Sequence, residues 1–581
     1  MDLTDSKLSA LPEYHRQTGG QTGSLLTANY LLVNSPDTEN KYIHKSEKLK
    51  QRLKSRKVSK IPNTKPMIKT LCLVVLISLC TIAFAQSPEI EWQKSLGGTG
   101  KDVLQSIEKT NDGGFIVAGY SNSNNGDVTG NHGEFDYWVA KLTNNGIIVW
   151  QKSLGGSGED IANSVIQTSD GGYIVSGQSY SDNGDITDNH GGIDYWIVKL
   201  DASGNLVWQK SLGGSSLDYG REIQETMDGG FIMIGLSLSN NGDVTGNHGD
   251  YDYWVVKMDG SGEIVWQNAL GGSSVEQALS IRQTTDGGYV IAGSSRSVDG
   301  DVTLNHGSDD CWIVKLDPSG NLSWEKSFGG FSEDFAYSIQ QTSEGGYVFA
   351  GFSSSWNGDI TGNHGGRDVW IVKIDVVGNL IWQKSFGGTQ NDIAMDIKNT
   401  LDGKYIITGY SNSINGDVTE NNGEEDFWVI KIDTSGNIIW QKSFGGSGSD
   451  QAFCLEQAPD GGFILAGGSG SNDGNVSGNH GNKDGWLLKL LPESLSSAGV
   501  ELTDHYFFYP NPGSSFITIQ NKNSLLTGFD YKIMDTQGRT VKEGSSVFNE
   551  RIQVESLKTG YYFLKIITGN NGTSVLKFLK N

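Results

Sequence analysis

Short apolar runs alternate with polar, glycine-bearing turns through most of this chain. In the first clear instance LQSIEKT (104–110) and GFIVAGYS (114–121) flank the turn NDG, and DYWVAKLT (136–143) and IIVWQKSL (147–154) flank NNG. Runs of this length around such turns predict two β-hairpins, whose strands are called a, b, c and d. A polar loop from Asn122 to Phe135 joins b to c. The runs FIVAG and IIVW lack strict alternation, as expected of strands covered on both faces.

The four-strand pattern then returns without insertion or deletion. One tryptophan recurs at 92, 150, 208, 266, 324, 382 and 440, and a second, within D-x-W, at 138, 196, 254, 312, 370, 428 and 486; only Trp356 lies outside both series. Seven four-stranded units, each needing cover on two faces, predict an all-β, seven-bladed β-propeller, with a β-solenoid as the alternative. Closure favours the ring. The chain enters in a d strand (90–98) and leaves in a c strand (484–490), so the first segment completes the last blade. The propeller is assigned to 86–491, a linker to 492–504 and a small C-terminal β-sandwich to 505–581.

Composition agrees with many short strands: Gly numbers 79 of 581 residues and charged residues are 19%. The net charge of -23 is strongly acidic although residues 1–66 carry a basic surplus. Such a surface repels phosphate backbones, so nucleic acid is excluded as a partner, and the chain is expected to be a monomer. Residues 67–85 (MIKTLCLVVLISLCTIAFA) have the form of a secretory signal cleaved after Ala85. Leu79 before Cys80 argues against a lipoprotein. Residues 1–66 are read as a misassigned, disordered extension, with Met67 as the true initiator. Cys311 and Cys454 occupy different repeat phases and are expected to be buried thiols.

The b–c and d–a connections emerge on one face of such a ring, and the b–c loops are the longest, so binding is expected there. Oxygen-bearing side chains at alternate loop positions make Asp127, Asp185, Asp243, Asp299, Asp301, Asp359 and Asp417 candidate Ca²⁺ ligands. The competing reading gives the same side chains to backbone hydrogen bonds, with no cofactor. His132, His190, His248, His306, His364 and His480 share one phase, Asn422 replacing the seventh; they are expected to brace each blade through nearby carboxylates such as Asp136. Asp102 and its equivalents, near the d–a turn, are expected to form a solvated acid ring.

An asymmetric site requires departures from the repeat: Arg221, Arg296, Cys311, Phe331, Trp356 and Lys404 are such departures. Arg296 and Trp356, in b–c loops of adjacent units, are candidate ligand contacts through stacking and bidentate hydrogen bonds. No G-x-S-x-G, H-E-x-x-H or phosphate loop occurs, and no catalytic residue is assigned. The stretch KLDASGNLVWQKSLGG (199–214) resembles the D-x-x-G-x-x-x-W hairpin of quinoprotein-like propellers; the resemblance implies fold kinship without the quinone, because the vicinal cysteine pair is absent.

Beyond Leu491 the period stops. The last segment holds Y-P-N-P (Tyr509, Pro510, Asn511, Pro512), the turn D-x-x-G-R through Gly538, T-G-Y-Y through Gly560 and Tyr561, and a basic-apolar end with Lys577. In these motifs it resembles the type A sorting domain of the Bacteroidetes type IX secretion system. The resemblance implies export to the periplasm, recognition by the type IX machinery, passage through the outer membrane, and release or attachment at the cell surface. The expected function is a non-enzymatic binding or adhesion module for a glycan or protein; the alternative is a polysaccharide-acting hydrolase or lyase.

Overall fold

The computed structural model describes residues 87–493, 506–509, 515–521, 528–535, 539–548, 550–568 and 572–580. The extension 1–66, the signal 67–85 and most of the linker lie outside the described residues, as do Pro510, Asn511, Pro512 and Gly538.

Local hydrogen bonds explain why the polar stretches turn. After strand a of blade 1, Gly113 N–H donates to Thr110 O at 2.9 Å, while Asp112 Oδ1 accepts from Thr110 Oγ1 (2.5 Å) and Gly114 N–H (3.0 Å). Between strands c and d of blade 2, Asp201 Oδ1 accepts from Ser203 N–H (2.8 Å) and Asn205 N–H (2.9 Å). These are Asx-type turns, in which a side chain replaces the backbone acceptor.

Blade 1 comprises strands a (Asp102–Lys109), b (Phe115–Ser121), c (Asp136–Leu142) and d (Ile148–Leu154), paired antiparallel in that order. Five further sheets repeat this order. Strand a begins two residues before the apolar run does, because Asp102 already pairs with Ser121. The a strands of successive blades pack against one another in an unbroken circuit, that of blade 7 (Asp450–Gln457) against that of blade 1. They therefore line the axis, and the d strands lie outermost. Strand d is covered less fully than its apolar sequence suggests: Val149 is 59% exposed.

Ring closure follows from the N-terminal strand Ile90–Leu96, which pairs antiparallel with Asp484–Leu490. Gln93 sits opposite Leu488, and Trp486 Nε1–H donates to Gln93 Oε1 at 2.9 Å. The seventh sheet thus obtains its d strand from the beginning of the propeller. The result is an all-β, seven-bladed β-propeller.

Between each pair of blades lies one apolar cluster. The D-x-W tryptophans are its largest members, all essentially inaccessible. Tyr137 crosses the junction, its hydroxyl donating to Trp196 O (2.9 Å) and its ring 4.5 Å from that of Trp196. Burying an indole of roughly 200 Å² contributes about 5 kcal/mol before the entropy of ordering is subtracted. Lys141, almost fully buried, lays its stem in the blade and pairs with Asp112 at 2.9 Å; Lys199, Lys257 and Lys315 repeat the bond to Asp170, Asp228 and Asp286. Hydrogen bonds and the ammonium hold Asp112, Asp170 and Asp228 down to about 2.

Each inner strand carries a bulge, in blade 1 between Leu104 and Ser106. Gly119 lies opposite it; a Cβ there would stand 1.9 Å from Val103 O, so the position accepts only glycine.

In the C-terminal domain, strands Tyr506–Tyr509, Phe516–Asn521 and Arg551–Gln553 form one sheet, and Thr540–Val547, Gly528–Met534, Gly560–Thr568 and Gly572–Lys580 another. Ile517, Ile519 and Ile552 pack with Tyr531, Ile533, Leu564 and Ile566 to give a β-sandwich core. Gly560 and Tyr561 begin a strand, where Tyr561 is half exposed; Lys577 lies within the final strand and Tyr509 ends the first.

Candidate binding face

The long loops are held by two sets of buried acids. Asp102 is inaccessible to solvent. It accepts from Ser121 Oγ, from Ser123 Oγ at 2.8 Å and from Gly98 N–H at 2.7 Å. Asp160, Asp218, Glu276, Asp334, Asp392 and Asp450 are equally buried. The expected solvated acid ring is therefore corrected: these carboxylates tie the d–a turn to the end of strand b. Burial pushes Asp160 and Asp334 up to about 6.

The histidines brace the second set. His132 Nδ1 lies 2.6 Å from Asp136 Oδ2, which also accepts the His132 backbone N–H at 2.9 Å. The same pairing joins His190, His248, His306, His364 and His480 to Asp194, Asp252, Asp310, Asp368 and Asp484. In blade 6 the Asn422 amide donates to Asp426 at 3.0 Å. The other oxygen, Oδ1, of Asp136, Asp194, Asp252, Asp310, Asp368, Asp426 and Asp484 is buried without a hydrogen-bond partner. An acid of the next blade stands nearby: a Cβ on Gly213 would lie 2.6 Å from Asp194 Oδ1 and 2.7 Å from Asp218 Oδ2. Burial, reinforced by this neighbour, pushes Asp194 up to about 6.

The candidate Ca²⁺ ligands engage the loop backbone. Asp127 Oδ2 accepts from Gly97 N–H at 3.2 Å, and Asp185, Asp243, Asp301, Asp359 and Asp417 hold the equivalent glycines. Asp299 Oδ1 accepts from Ser273 N–H at 2.8 Å. Among the described residues no three His, Cys, Asp or Glu side chains group as a metal site would. Cys311 and Cys454 are buried thiols on blades 4 and 7.

Above this uniform framework the face becomes asymmetric. At the phase of Trp356 the seven blades carry Asn124, Asp182, Asn240, Val298, Trp356, Ile414 and Asn472. Trp356 is 81% exposed, Ile414 77% and Val298 75%. In the d–a turn of blade 5, Phe331 replaces the Ser or Thr of other blades and is 69% exposed. Arg296 is about half exposed, and its guanidinium is bound to the buried Asp309 at 2.5 Å. Arg367 pairs with Glu333 at 2.9 Å and lies over the Phe352 ring at 4.6 Å.

The inner strands break the repeat again at the hairpin end of the axis, at residues outside the departures read from the sequence. One phase reads Glu108, Ile166, Gln224, Arg282, Gln340, Lys398 and Glu456. Arg282 pairs with Glu222 of the preceding blade at 2.5 Å, and Lys398 with Glu456 at 2.8 Å and Asp396 at 3.9 Å. Burial and the charge of Glu456 push Glu108 up to about 7. Reading down each phase, rather than along each unit, would have exposed this cluster.

Parts of this chain are similar to known proteins. Over 228 residues the chain is 23% identical to the regulatory protein FlaEY of Caulobacter vibrioides, a match taking in 36% of this chain and only 23% of that protein. The extracellular domain of the hybrid two component system BT4673 from B. thetaiotaomicron is similar at 12% identity over 85% of this chain and 60% of that one, with a TM-score of 0.38. The Neurospora crassa Pan2 WD40 domain is similar at 11% identity over 69% of this chain and 96% of that one, with a TM-score of 0.39. None of these likenesses is close enough to transfer a function. The C-terminal segment is more informative: residues 507–581 match the secretion system C-terminal sorting domain, which marks the chain for secretion.

Proposed function

We propose that the propeller is displayed at the outer cell surface, after cleavage near Ala85 and export by the type IX machinery, as a non-enzymatic recognition module for a glycan or protein. The observation that carries this reading is the grouping of exposed departures such as Val298, Phe331, Trp356 and Ile414 on adjoining long loops, above acids and histidines that repeat almost unchanged, whereas the exposed Met227 and Leu401 of the opposite turns stand on separate blades. Rigid loops with a locally distinct surface suit binding. Arg296 and Trp356 flank this surface, Arg296 steadying the loop through Asp309 and Trp356 offering an exposed ring.

The alternative, action on a polysaccharide, draws on the acid pair Glu108 and Glu456, one raised and one held by Lys398. Thermal midpoints of the full chain across neutral and acidic oligosaccharides, Ca²⁺ and chelator test the reading. A ligand at a hundredfold excess over Kd stabilises by about 2.7 kcal/mol. A shift without turnover of the ligand supports recognition; release of shorter oligosaccharides, lost in Glu108→Gln, would replace it by the enzyme. A Ca²⁺ shift reversed by chelator would assign the loop aspartates Asp127, Asp185, Asp243, Asp299, Asp301, Asp359 and Asp417 to metal.

A further inference from the structure

Apart from Tyr180 on blade 2, the large exposed apolar residues of the long-loop face fall on blades 4 to 6. Val298 and Leu304 belong to the b–c loop of blade 4, Phe331 to the d–a turn of blade 5, Trp356 to the b–c loop of blade 5 and Ile414 to that of blade 6. Leu304 is 52% exposed and the other four more. These loops touch in series. Gly307 of the Leu304 loop abuts the Phe331 backbone, and Phe331 N–H donates to Asn357 Oδ1, beside Trp356, at 3.0 Å. Gly365, farther along the Trp356 loop, abuts Thr389, whose N–H donates to Asn415 Oδ1, beside Ile414, at 2.9 Å. The five side chains therefore stand along one arc of adjoining loops. Other blades mostly place Asn, Asp, Gly, Ser or Thr at these positions, so the scaffold does not require them.

The surroundings of the arc are acidic. Asp299, Glu420 and Glu424 are exposed around it, with Asp301, Asp359 and Asp417 half-buried. The arginines of the same loops, Arg296 and Arg367, are each held by a carboxylate. An anionic lipid or polyanionic glycan would be repelled. A neutral glycan would use the two aromatic rings but would gain little from Val298, Leu304 and Ile414, which offer no stacking face and no hydrogen bond. Apolar residues ringed by charge of one sign suit a polypeptide whose apolar side chains are flanked by lysine or arginine.

Resting on the recognition reading above, we infer that the arc from Val298 through Phe331 and Trp356 to Ile414 is the docking surface for a protein partner presenting an apolar strip bordered by basic residues. The repeat itself supplies a mild control. Val298→Asn, Leu304→Gly, Phe331→Ser, Trp356→Asn and Ile414→Asn together restore residues that other blades already carry, leaving every acid in place.

The test is fluorescence anisotropy of the full chain with three probes: a peptide of alternating leucine, phenylalanine and lysine, the same peptide with glutamate for lysine, and neutral oligosaccharides. The expected result is binding of the lysine peptide only, weakened by salt and about tenfold or more by the five-fold reversion. Equal binding to the reverted chain would mean diffuse charge attraction and would overturn the arc. Binding of a neutral oligosaccharide, lost on Trp356→Asn alone, would overturn the protein partner while keeping recognition. No binding by any probe would overturn this surface, whereas failure of recognition itself would appear as depolymerised oligosaccharide.

Discussion

Asp194→Asn tests the chemistry beneath the long-loop face. In the folded chain Asp194 Oδ2 is occupied by His190, while Oδ1 faces Asp218 with no donor and no contact with solvent. Burial of that oxygen holds Asp194 toward its protonated form, and the charge of Asp218 adds to the effect. The shift from 3.8 to about 6 sets the scale. Two units or so, at about 1.4 kcal/mol each, put a ceiling of roughly 3 kcal/mol on the stability lost by deprotonation at one junction. The raised folded pKa fixes the sign: between pH 3.8 and 6 the folded chain holds a proton that the unfolded chain has released, so this contribution is present at low pH and lost as pH rises. Asparagine supplies the N–H permanently. The urea midpoint of Asp194→Asn should match that of the unaltered chain near pH 4 and exceed it at pH 7.5, by an amount equivalent to about 1–3 kcal/mol. Lower stability at pH 7.5 would refute the reading that desolvation of the ionised Asp194 carboxylate costs stability there.

Four further outcomes follow from the same geometry. Glu108→Gln, which removes a carboxyl that burial and the charge of Glu456 hold near 7, should raise the midpoint at pH 8 and leave it unchanged near pH 4.5. Gly119→Ala, forced against Val103 O, should cost about 3 kcal/mol or more by chemical unfolding, unlike Gly130→Ala, whose Cβ meets nothing but whose backbone is left-handed, at about 1 kcal/mol. His132→Asn should cost under about 1 kcal/mol, since Asn422 already fills this role in blade 6. Removal of residues 507–581 should leave the propeller inside the cell envelope, seen by fractionation and immunoblotting.

The architecture was legible because local and global signals agree. The Asx turns, the D-x-W series and the orphan N-terminal strand all require the same ring, and Gln93 beside Trp486 shows how the ends meet. The histidine braces were legible too, being four residues from their aspartates. Asp102 was misjudged because a charge near a turn ordinarily faces water; here Ser121 and Ser123, far along the chain, desolvate and bind it. The ion pair of Arg296 was not legible, because Asp309 becomes its partner only when the b–c loop folds back. The ionic cluster at the axis was hidden for a related reason. Glu222, Arg282 and Lys398 lie on ordinary-looking strands, and only the stacking of neighbouring blades brings Arg282 to Glu222 and Lys398 to Glu456.

Hydrogen exchange of the full chain with and without the lysine-bearing peptide tests the central claim most directly. The account predicts slower exchange in 296–309, 329–333, 354–367 and 412–425, with the corresponding loops of blades 1 to 3 unchanged. Protection at the opposite hairpin turns, such as 110–114 and 168–172, or uniform protection around all seven blades would contradict it.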